Sequence, residues 1–316
     1  MGHRMGPPTG SRHFRIERLA DGVYAAFARP GGFALSNSTI VDLGSTTVVF
    51  DSTLTPMAGA ALRRCAERLT GHAPSFVVNS HWHGDHHWGN SAFVGAHVVS
   101  TRRVREVIVQ RSRPLFRAWR RELPRELAAL RHPGPAVDSR DVPELRGWFR
   151  GVLATPSDLP IVPPGVTFED ELVLTGRRRS VHLVSYGGGH SPSDVFAFLP
   201  DERIVATGDL ALVGYHLSVG DGYPDEWIRI LGRMLRLRVE RLVPGHGSLG
   251  DARTLARSRE YLRDLVRRAA SARRRGVSLR SFRRAPVPER YREWRFSLMY
   301  PENLARAYRL GTRGSG

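Results

Sequence analysis

The chain has 316 residues, enough to bury a substantial core in one large domain or in one domain with an extension. Hydrophobic residues make up 41% of it, yet no apolar run approaches the ~18 residues of a membrane span, and no apolar segment follows the basic N-terminus as in a secretory signal. One cysteine, Cys65, excludes an internal disulfide framework. We therefore expect a cytoplasmic protein.

The basic residues are distributed unevenly along the chain. The net charge is +18, and all 48 basic residues are arginine. Residues 252–316 hold 18 arginines and 5 acidic residues, so most of the excess lies in this C-terminal extension. A solvated helix face is the ordinary explanation, and a surface for nucleic acid is the alternative.

The chain divides into a leader, a domain and the extension. Residues 1–13 lack periodicity and are predicted to be flexible. Strand patterns follow at 14–19, 23–28, 38–42, 46–50, 76–79, 96–100, 167–174, 181–186, 195–199, 203–207 and 241–243. Helix patterns cover 56–70 and 225–237. Strands that alternate with helices predict a layered α/β domain over residues 14–251.

Residues 101–165 interrupt the strand pattern and are predicted to be an insertion. The part to residue 131 has a helical pattern that Pro114 and Pro124 interrupt, with Thr101 as its N-cap. Many prolines and little periodicity predict an ordered loop over residues 132–165.

The extension is predicted to be helical over 251–275 and 301–310. The apolar side of the last helix, with Leu304, Ala307 and Tyr308, packs on the domain or on a second copy of the chain. Between the helices, residues 286–300 form an aromatic block that is predicted either to pack in the core or to form a lip over the active site; its aromatic residues are Tyr291, Trp294, Phe296 and Tyr300.

The strongest motif lies in residues 79–90, directly after a short apolar run that predicts a buried strand. His81, His83, Asp85 and His86 spell His-x-His-x-Asp-His. A loop at the end of a strand can turn consecutive side chains toward one point. Imidazole and carboxylate groups bind zinc, manganese or ferrous iron. The motif therefore predicts a metal site.

Other predicted strands also end in metal-competent residues. Gly187-Gly-Gly-His190 follows one strand, Gly208-Asp209 another, and Pro244-Gly-His246-Gly a third. Asp51 ends a fourth. Ligands in layered α/β proteins gather at the carboxyl ends of strands, so we expect these side chains to meet.

In this order, the four motifs resemble those of the metallo-β-lactamase-fold hydrolases, over roughly residues 14–250. The resemblance implies an αββα four-layer sandwich with a helical insertion and a helical C-terminal extension. It also implies two metal ions and assigns their ligands. His81, His83 and His190 would hold the first ion, Asp85, His86 and His246 the second, and Asp209 would bridge the two.

The aspartate at 209 indicates a branch of this family, because a bridging carboxylate there is typical of glyoxalase II-like thioesterases and lactonases. The implied enzyme is a dinuclear hydrolase, with zinc as the expected metal and manganese or iron also compatible. A hydroxide between the ions would attack an ester, thioester, lactone or amide carbonyl of a small molecule.

Further roles follow for four residues. Asp85 could orient the nucleophile or accept its proton. Asp51 is placed to accept a hydrogen bond from a ligating imidazole. Tyr215 and His216 follow Asp209 on a glycine-bearing loop and are predicted to be catalytic, with the phenol donating to a substrate oxyanion.

Two alternatives stay open at this point. A metallo-nuclease could use the same dinuclear site on phosphodiesters, and the basic extension favours it. A mononuclear iron dioxygenase of the same fold could use His81, His83 or their neighbours together with Asp209. Salt-dependent nucleic-acid binding and metal content would separate these alternatives.

Overall fold

The computed structural model describes residues 11–135 and 137–311. Residues 1–10 of the predicted leader lie outside this part of the chain. His13, at the end of the leader, is buried, and its Nδ1 accepts a hydrogen bond from the backbone N–H of Phe33 at 3.1 Å.

In the described chain, seven strands form the first sheet, in the order in which they occur in the sequence. They are β1 (Phe14–Ala20), β2 (Val23–Ala28), β3 (Ser38–Asp42), β4 (Thr47–Phe50), β5 (Pro74–Val78), β6 (His97–Thr101) and β7 (Val166–Phe168). Strands β1 to β4 pair antiparallel, whereas β4 to β7 pair parallel. The carboxyl ends of β4, β5 and β6 therefore share one edge of the sheet.

A second sheet has the order β12-β11-β10-β9-β8. Its strands are β8 (Glu171–Thr175), β9 (Ser180–Ser185), β10 (Val195–Leu199), β11 (Ile204–Ala206) and β12 (Arg241–Val243). Strand β12 is parallel to β11, and the other neighbours are antiparallel.

The helices lie between these strands in the sequence or after the last of them. They are α1 (Pro56–Thr70), α2 (Gly84–His87), α3 (Arg102–Val107), α4 (Arg113–Ala129), α5 (Val142–Ala154), α6 (Pro224–Met234), α7 (Ala252–Arg274), α8 (Leu279–Phe282) and α9 (Tyr300–Leu310). Helix α1 begins where the Thr55 hydroxyl accepts the Ala58 N–H and ends at Gly71 in the left-handed conformation. None of the described helices is both long and apolar enough to cross a membrane.

The two sheets pack face to face because their strands alternate in side-chain direction. Val41 and Val48 point between the sheets, where they meet residues of the second sheet such as Leu183. Ile40 and Val49 point the other way and pack against α1. The result is the predicted αββα sandwich.

Helices α6, α7 and α9 cover the outer face of the second sheet. Leu304 and Ala307 of α9 are buried in the same apolar cluster as Trp227 of α6 and Leu262 of α7. The apolar side of the last helix thus packs on its own chain.

The predicted strand over 167–174 is wrong as a single element. Residues 166–168 pair with β6 in the first sheet, and residues 171–175 pair with β9 in the second. The chain crosses between the sheets at Glu169 and Asp170, and the Asp170 carbonyl accepts the N–H of Ser185 there at 2.8 Å. Neither residue is a glycine or proline, so the sequence carries no break signal.

The insertion is more helical than predicted. Helix α5 occupies residues that the proline content assigned to a loop. Its Pro143 lies in the first turn, where the missing N–H costs no hydrogen bond. Pro124 lies within α4 and does not end it. Thr101 is the predicted N-cap, since its hydroxyl accepts the N–H of Val104.

Candidate metal centre

The loops that carry the predicted metal ligands meet at one edge of the sandwich. Asp51 follows β4, and His81–His86 follow β5 in the first sheet. From the second sheet come His190 after β9, Asp209 after β11 and His246 after β12. Both sheets therefore contribute side chains to one place.

The structure brings all seven predicted ligand side chains together in two groups. In each group, one potential ligand atom per residue lies within 4.8 Å of the others. The first group contains His81, His83, His190 and Asp209, and the second contains Asp85, His86 and His246.

Asp209 lies between the two groups. Its Oδ2 is 3.5 Å from Nε2 of His190 in the first group. Its Oδ1 is 3.3 Å from Nε2 of His86 and 3.5 Å from Nε2 of His246 in the second. One carboxylate thus reaches both sets of imidazoles.

Backbone carbonyls fix the tautomers of two histidines. Nδ1 of His190 lies 3.0 Å from the carbonyl oxygen of Ser218, and Nδ1 of His246 lies 3.1 Å from that of Leu35. A carbonyl only accepts hydrogen bonds, so each Nδ1 carries the proton. In the neutral rings, Nε2 then has a free lone pair that faces the centre of the site.

Asp51 orders two more histidines. Its Oδ2 accepts from Nδ1 of His86 at 2.7 Å and from the Ser80 hydroxyl at 2.8 Å. Because that hydroxyl donates to Asp51, it accepts from Nδ1 of His81 at 2.9 Å. The Nε2 lone pairs of His81 and His86 therefore also point inward.

The fifth imidazole, that of His83, has the opposite orientation. Nε2 of His83 lies 3.4 Å from Oδ2 of Asp221, which leaves Nδ1 as the inward-facing atom. That Nδ1 is 3.0 Å from Nε2 of both His81 and His190. Lone pairs this close repel each other unless a cation lies between them.

With the rings neutral, the inward-facing atoms are therefore all electron-pair donors that carry no hydrogen. Nε2 of His86 and Oδ1 of Asp209 are buried and have no hydrogen-bond partner. Buried polar atoms are rarely left without a partner. Imidazole nitrogens and carboxylate oxygens in this arrangement fit divalent zinc, manganese or iron.

The pKa values of the imidazoles differ between the two groups, and those of the second group show that a positive charge is favoured there. Burial lowers the pKa of His190 to about 3, so this ring is neutral. Burial also opposes the charged form of His246, but the carboxylates of Asp209 and Asp85 raise its pKa to about 10. Asp85 and Asp51 likewise raise the pKa of His86 well above its ordinary value. A cation in the second group is stabilised by its surroundings.

A cavity of about 210 Å³ opens directly beside these atoms. Donor residues of both groups line it, namely His83, Asp85, Asp209 and His246. Its other walls come from α4 and α5 of the insertion, from the loop after Asp209, and from the C-terminal extension. The insertion and the extension thus complete the surroundings of the site.

Tyr215 lines the cavity, but its hydroxyl already has partners. It donates to Oε2 of Glu144 at 2.8 Å and accepts from Arg295 at 2.8 Å. The phenol proton therefore points at Glu144. The predicted donation to an oxyanion requires this bond to be exchanged.

His216 has different surroundings from its neighbour. Its ring packs among Tyr261, Trp294 and Tyr300, and its Nδ1 is 2.9 Å from the Tyr261 hydroxyl. Burial lowers the pKa of His216 to about 4. These contacts tie the loop to the C-terminal extension, and the catalytic role of His216 stays a prediction.

Sequence reasoning missed several residues that hold the site. Asp221 orients the ring of His83. Asn37 stabilises the loop that carries His246, because its side-chain amide donates to the carbonyls of Pro244 and Gly247, each at 2.9 Å. Single Asp and Asn residues in polar loops carry no signal of such a role. Only the folded chain places them next to their partners.

A sequence comparison identifies the family. The model of the metallo-β-lactamase superfamily matches residues 31–246, a span that contains all seven donor residues. The chain belongs to the metallo-β-lactamase superfamily. Members of this superfamily are largely metal-dependent hydrolases, and the His/Asp cluster supports that general chemistry here.

Solved structures of metallo-β-lactamases share the fold. The enzyme from Pontibacter korlensis is 16% identical, with a TM-score of 0.59 over 79% of this chain and 99% of that one. The DIM-1 metallo-β-lactamase is 16% identical, with a TM-score of 0.56 over 80% and 98%. VMB-1 is 14% identical, with a TM-score of 0.58 over 81% and 99%. At these identities, the similarity shows the common fold alone.

Proposed function

We propose that this superfamily member is a dinuclear zinc hydrolase that opens an ester, thioester, lactone or amide of a small molecule. The observation that carries the proposal is the position of Asp209 between two complete donor groups, beside a cavity. The completeness of the second group, Asp85, His86 and His246, favours two ions over the single iron of a dioxygenase. When bound, the ions would supply Lewis acidity and lower the pKa of water toward neutrality.

Asp85 and Asp209 give the chain its own part in the reaction. Both line the cavity, so a carbonyl group bound there lies next to their carboxylates. Oδ2 of Asp85 faces Nε2 of His86 at 3.3 Å and of His246 at 3.2 Å. We assign Asp85 the role that the sequence predicts, which is to orient the attacking water or to accept its proton.

The position of Asp209 also supports a place in the glyoxalase II-like branch. Its two carboxylate oxygens face different donor groups, as a bridging ligand requires. The β-lactamase names of the structural neighbours do not bear on this choice.

The lining of the cavity argues for a small-molecule substrate over a nucleic acid. The chain has 48 basic residues, all arginine, yet among the described residues that line the cavity there is no arginine. Nucleic-acid sites neutralise phosphates with Lys and Arg. A phosphodiester would meet the carboxylates of Asp85 and Asp209 here, and no arginine of the described lining would contact its phosphate.

The proposal is tested with a panel of lactones, esters, thioesters and amides. Removal of metal with a chelator should abolish hydrolysis, and added zinc should restore it. Asp85→Asn should lower kcat by about 10²–10⁴-fold, whereas Asp158→Asn, an exposed change in the insertion, should leave it unchanged. Hydrolysis that survives complete metal removal would contradict the proposal.

A further inference from the structure

Apart from the donor residues, the lining of the cavity is mostly apolar and aromatic. Its lining includes Leu115, Trp119, Trp148, Leu212, Phe296 and Met299. These side chains come from α4, α5, the loop after Asp209 and the C-terminal extension. A surface of this kind next to a hydrolytic centre is suited to an apolar group of the substrate.

The tryptophan wall is held in place by its own packing. Trp119 meets Trp148 edge-on, with ring centroids 5.0 Å apart, and contacts Trp88 in the same manner at 5.3 Å. Trp88 is buried, and its Nε1 donates to the Ser112 hydroxyl at 2.8 Å. Helices α4 and α5 are thus joined by interlocked indoles, and the wall has a defined shape without a substrate.

Phe296 is fixed to the cavity from the opposite side. Its backbone has φ +58°, a left-handed conformation that is uncommon for a non-glycine residue. The Phe296 N–H donates to Oδ2 of Asp141 at 2.8 Å, and Arg295 donates to Oδ1 of the same carboxylate at 2.9 Å. The ring stacks on Tyr215 with centroids 5.7 Å apart. The contacts around it maintain this conformation and keep the ring in the wall.

The apolar part of the wall has no charge available to a ligand. Glu144 is the charged residue there, and its Oε2 is engaged by the Tyr215 hydroxyl at 2.8 Å and by Arg295 at 3.0 Å. No arginine of the described chain lines the cavity. An anionic substrate group would therefore be desolvated without a partner, which is costly.

We propose that the cavity binds an uncharged apolar group of the substrate, a phenyl ring or a short alkyl chain, and that Phe296 limits its size. This inference rests on the proposed function, since it names the class of small molecule that the centre hydrolyses. An apolar cavity of about 150 Å³ holds benzene in another protein. The volume of about 210 Å³ here admits a group of that size.

The first experiment measures kcat/KM for γ-lactones with alkyl side chains of increasing length. Each methylene that enters the cavity should raise kcat/KM roughly fourfold until the cavity is full. A lactone that bears a carboxylate on its side chain should be hydrolysed at least about tenfold more slowly than the neutral lactone of the same length. Equal rates for all lactones would overturn the inference.

The second experiment changes the wall. Phe296→Ala enlarges the cavity, so the preferred side chain should become longer, and kcat/KM for the short lactones should fall about tenfold. Met299→Ala should shift the preference in the same direction. Leu298→Ala is the matched control, because Leu298 is in the same segment but is exposed and does not line the cavity. An unchanged length preference in both cavity variants, with melting temperatures like that of the control, would overturn the inference.

A binding measurement separates the two proposals. The neutral fluorescent probe N-phenyl-1-naphthylamine should bind the full-length protein and be displaced by 1-hexanol rather than by hexanoate. Displacement should need more 1-hexanol in Phe296→Ala than in Leu298→Ala, because a short chain fills the enlarged cavity less well. This pattern in a protein that hydrolyses none of the panel would support the apolar site while the proposed hydrolysis fails. Hydrolysis without any preference for apolar side chains would leave the proposed function standing and contradict the apolar site.

Discussion

At the scale of single residues, Asp51 shows how a carboxylate that is outside both donor groups organises them. It accepts from His86, from the Ser80 hydroxyl and from the Ser80 N–H, the last at 2.7 Å. It does so from a left-handed backbone conformation with φ +63°. Its position directly after β4 links this strand to His86 of the second donor group.

Asp51→Asn should weaken metal binding without unfolding the chain. Asparagine tolerates the left-handed conformation, but it lacks the charge that orients the His86 ring. Loss of such a partner reduces metal affinity by about 10–100-fold. Competition for zinc with a chromophoric chelator measures this change.

Asp42→Asn is the control for this variant. Asp42 is buried too, but it pairs with Arg178 at 2.8 Å, apart from the donor groups. Equal zinc affinity in the two variants would show that Asp51 does not support the centre.

The donor residues were predictable because each has a side chain suited to metal and follows a strand pattern. Their hydrogen-bond partners were not. The carbonyls that orient His190 and His246 belong to Ser218 and Leu35, and Leu35 is 211 positions from His246 in the sequence. A backbone carbonyl is present in every residue, so no residue type marks it.

At the scale of elements, the loop that carries His190 depends on a buried carboxylate. Oδ2 of Asp194 accepts the N–H groups of Gly189 and Ser191 at 2.7 and 3.1 Å. These are the residues on either side of His190. Burial is the main cause that raises the pKa of Asp194 to about 6.

This pKa predicts a pH dependence of stability with a definite sign. Between pH ~4 and ~6, the folded chain keeps a proton on Asp194 that the unfolded chain has lost, so stability falls as the pH rises. Relative to Asp194→Asn, which does not titrate, the wild type should lose on the order of 3 kcal/mol of unfolding free energy across this window. Urea unfolding of both proteins at pH 4 and pH 7 measures this difference. A difference that stays constant would contradict the assignment.

Arg295 connects the elements around the cavity. Its guanidinium donates to Asp141, to the carbonyl of Arg140 and to Tyr215, and its backbone pairs with Gly214 and His216. The insertion, the loop after Asp209 and the extension thus meet at one side chain.

Arg295→Met should destabilise the protein by about 2–3 kcal/mol, because it leaves the buried Asp141 and Glu144 carboxylates without their cation. Arg292→Met is the matched control, since Arg292 is exposed and pairs with Glu289 on the surface. It should change stability by less than about 0.5 kcal/mol. Urea midpoints compare the two, and equal midpoints would show that the Arg295 network contributes nothing.

Elements with clear periodicity were predictable, whereas those without it were not. Helix α1 has a proline start, an apolar stripe and a terminal glycine, and the structure has the predicted bounds. Helix α5 was missed because proline content was taken as a loop signal. The boundary between β7 and β8 was missed because the crossing between sheets needs no special residue at Glu169.

At the scale of the whole molecule, the arginines that give the chain its positive charge are separate from the cavity beside the donor groups. The net charge is +18, but the arginines of residues 11–135 and 137–311 lie outside the cavity lining. The order of four motifs was enough to predict the sandwich and the edge at which the donors meet. The cavity was not predictable, because its walls join the insertion and the extension through contacts such as Tyr215 with Phe296, which no local pattern encodes.

In the proposed dinuclear centre, Asp209 would join the two metal ions. Elemental analysis of the purified full-length chain, without a histidine tag, should give two zinc ions per chain. Asp209→Ala should retain one or none, and Asp201→Ala, a change at an exposed turn, should retain both. A single iron per chain, no stoichiometric metal, or two ions retained in Asp209→Ala would contradict this proposed role of Asp209.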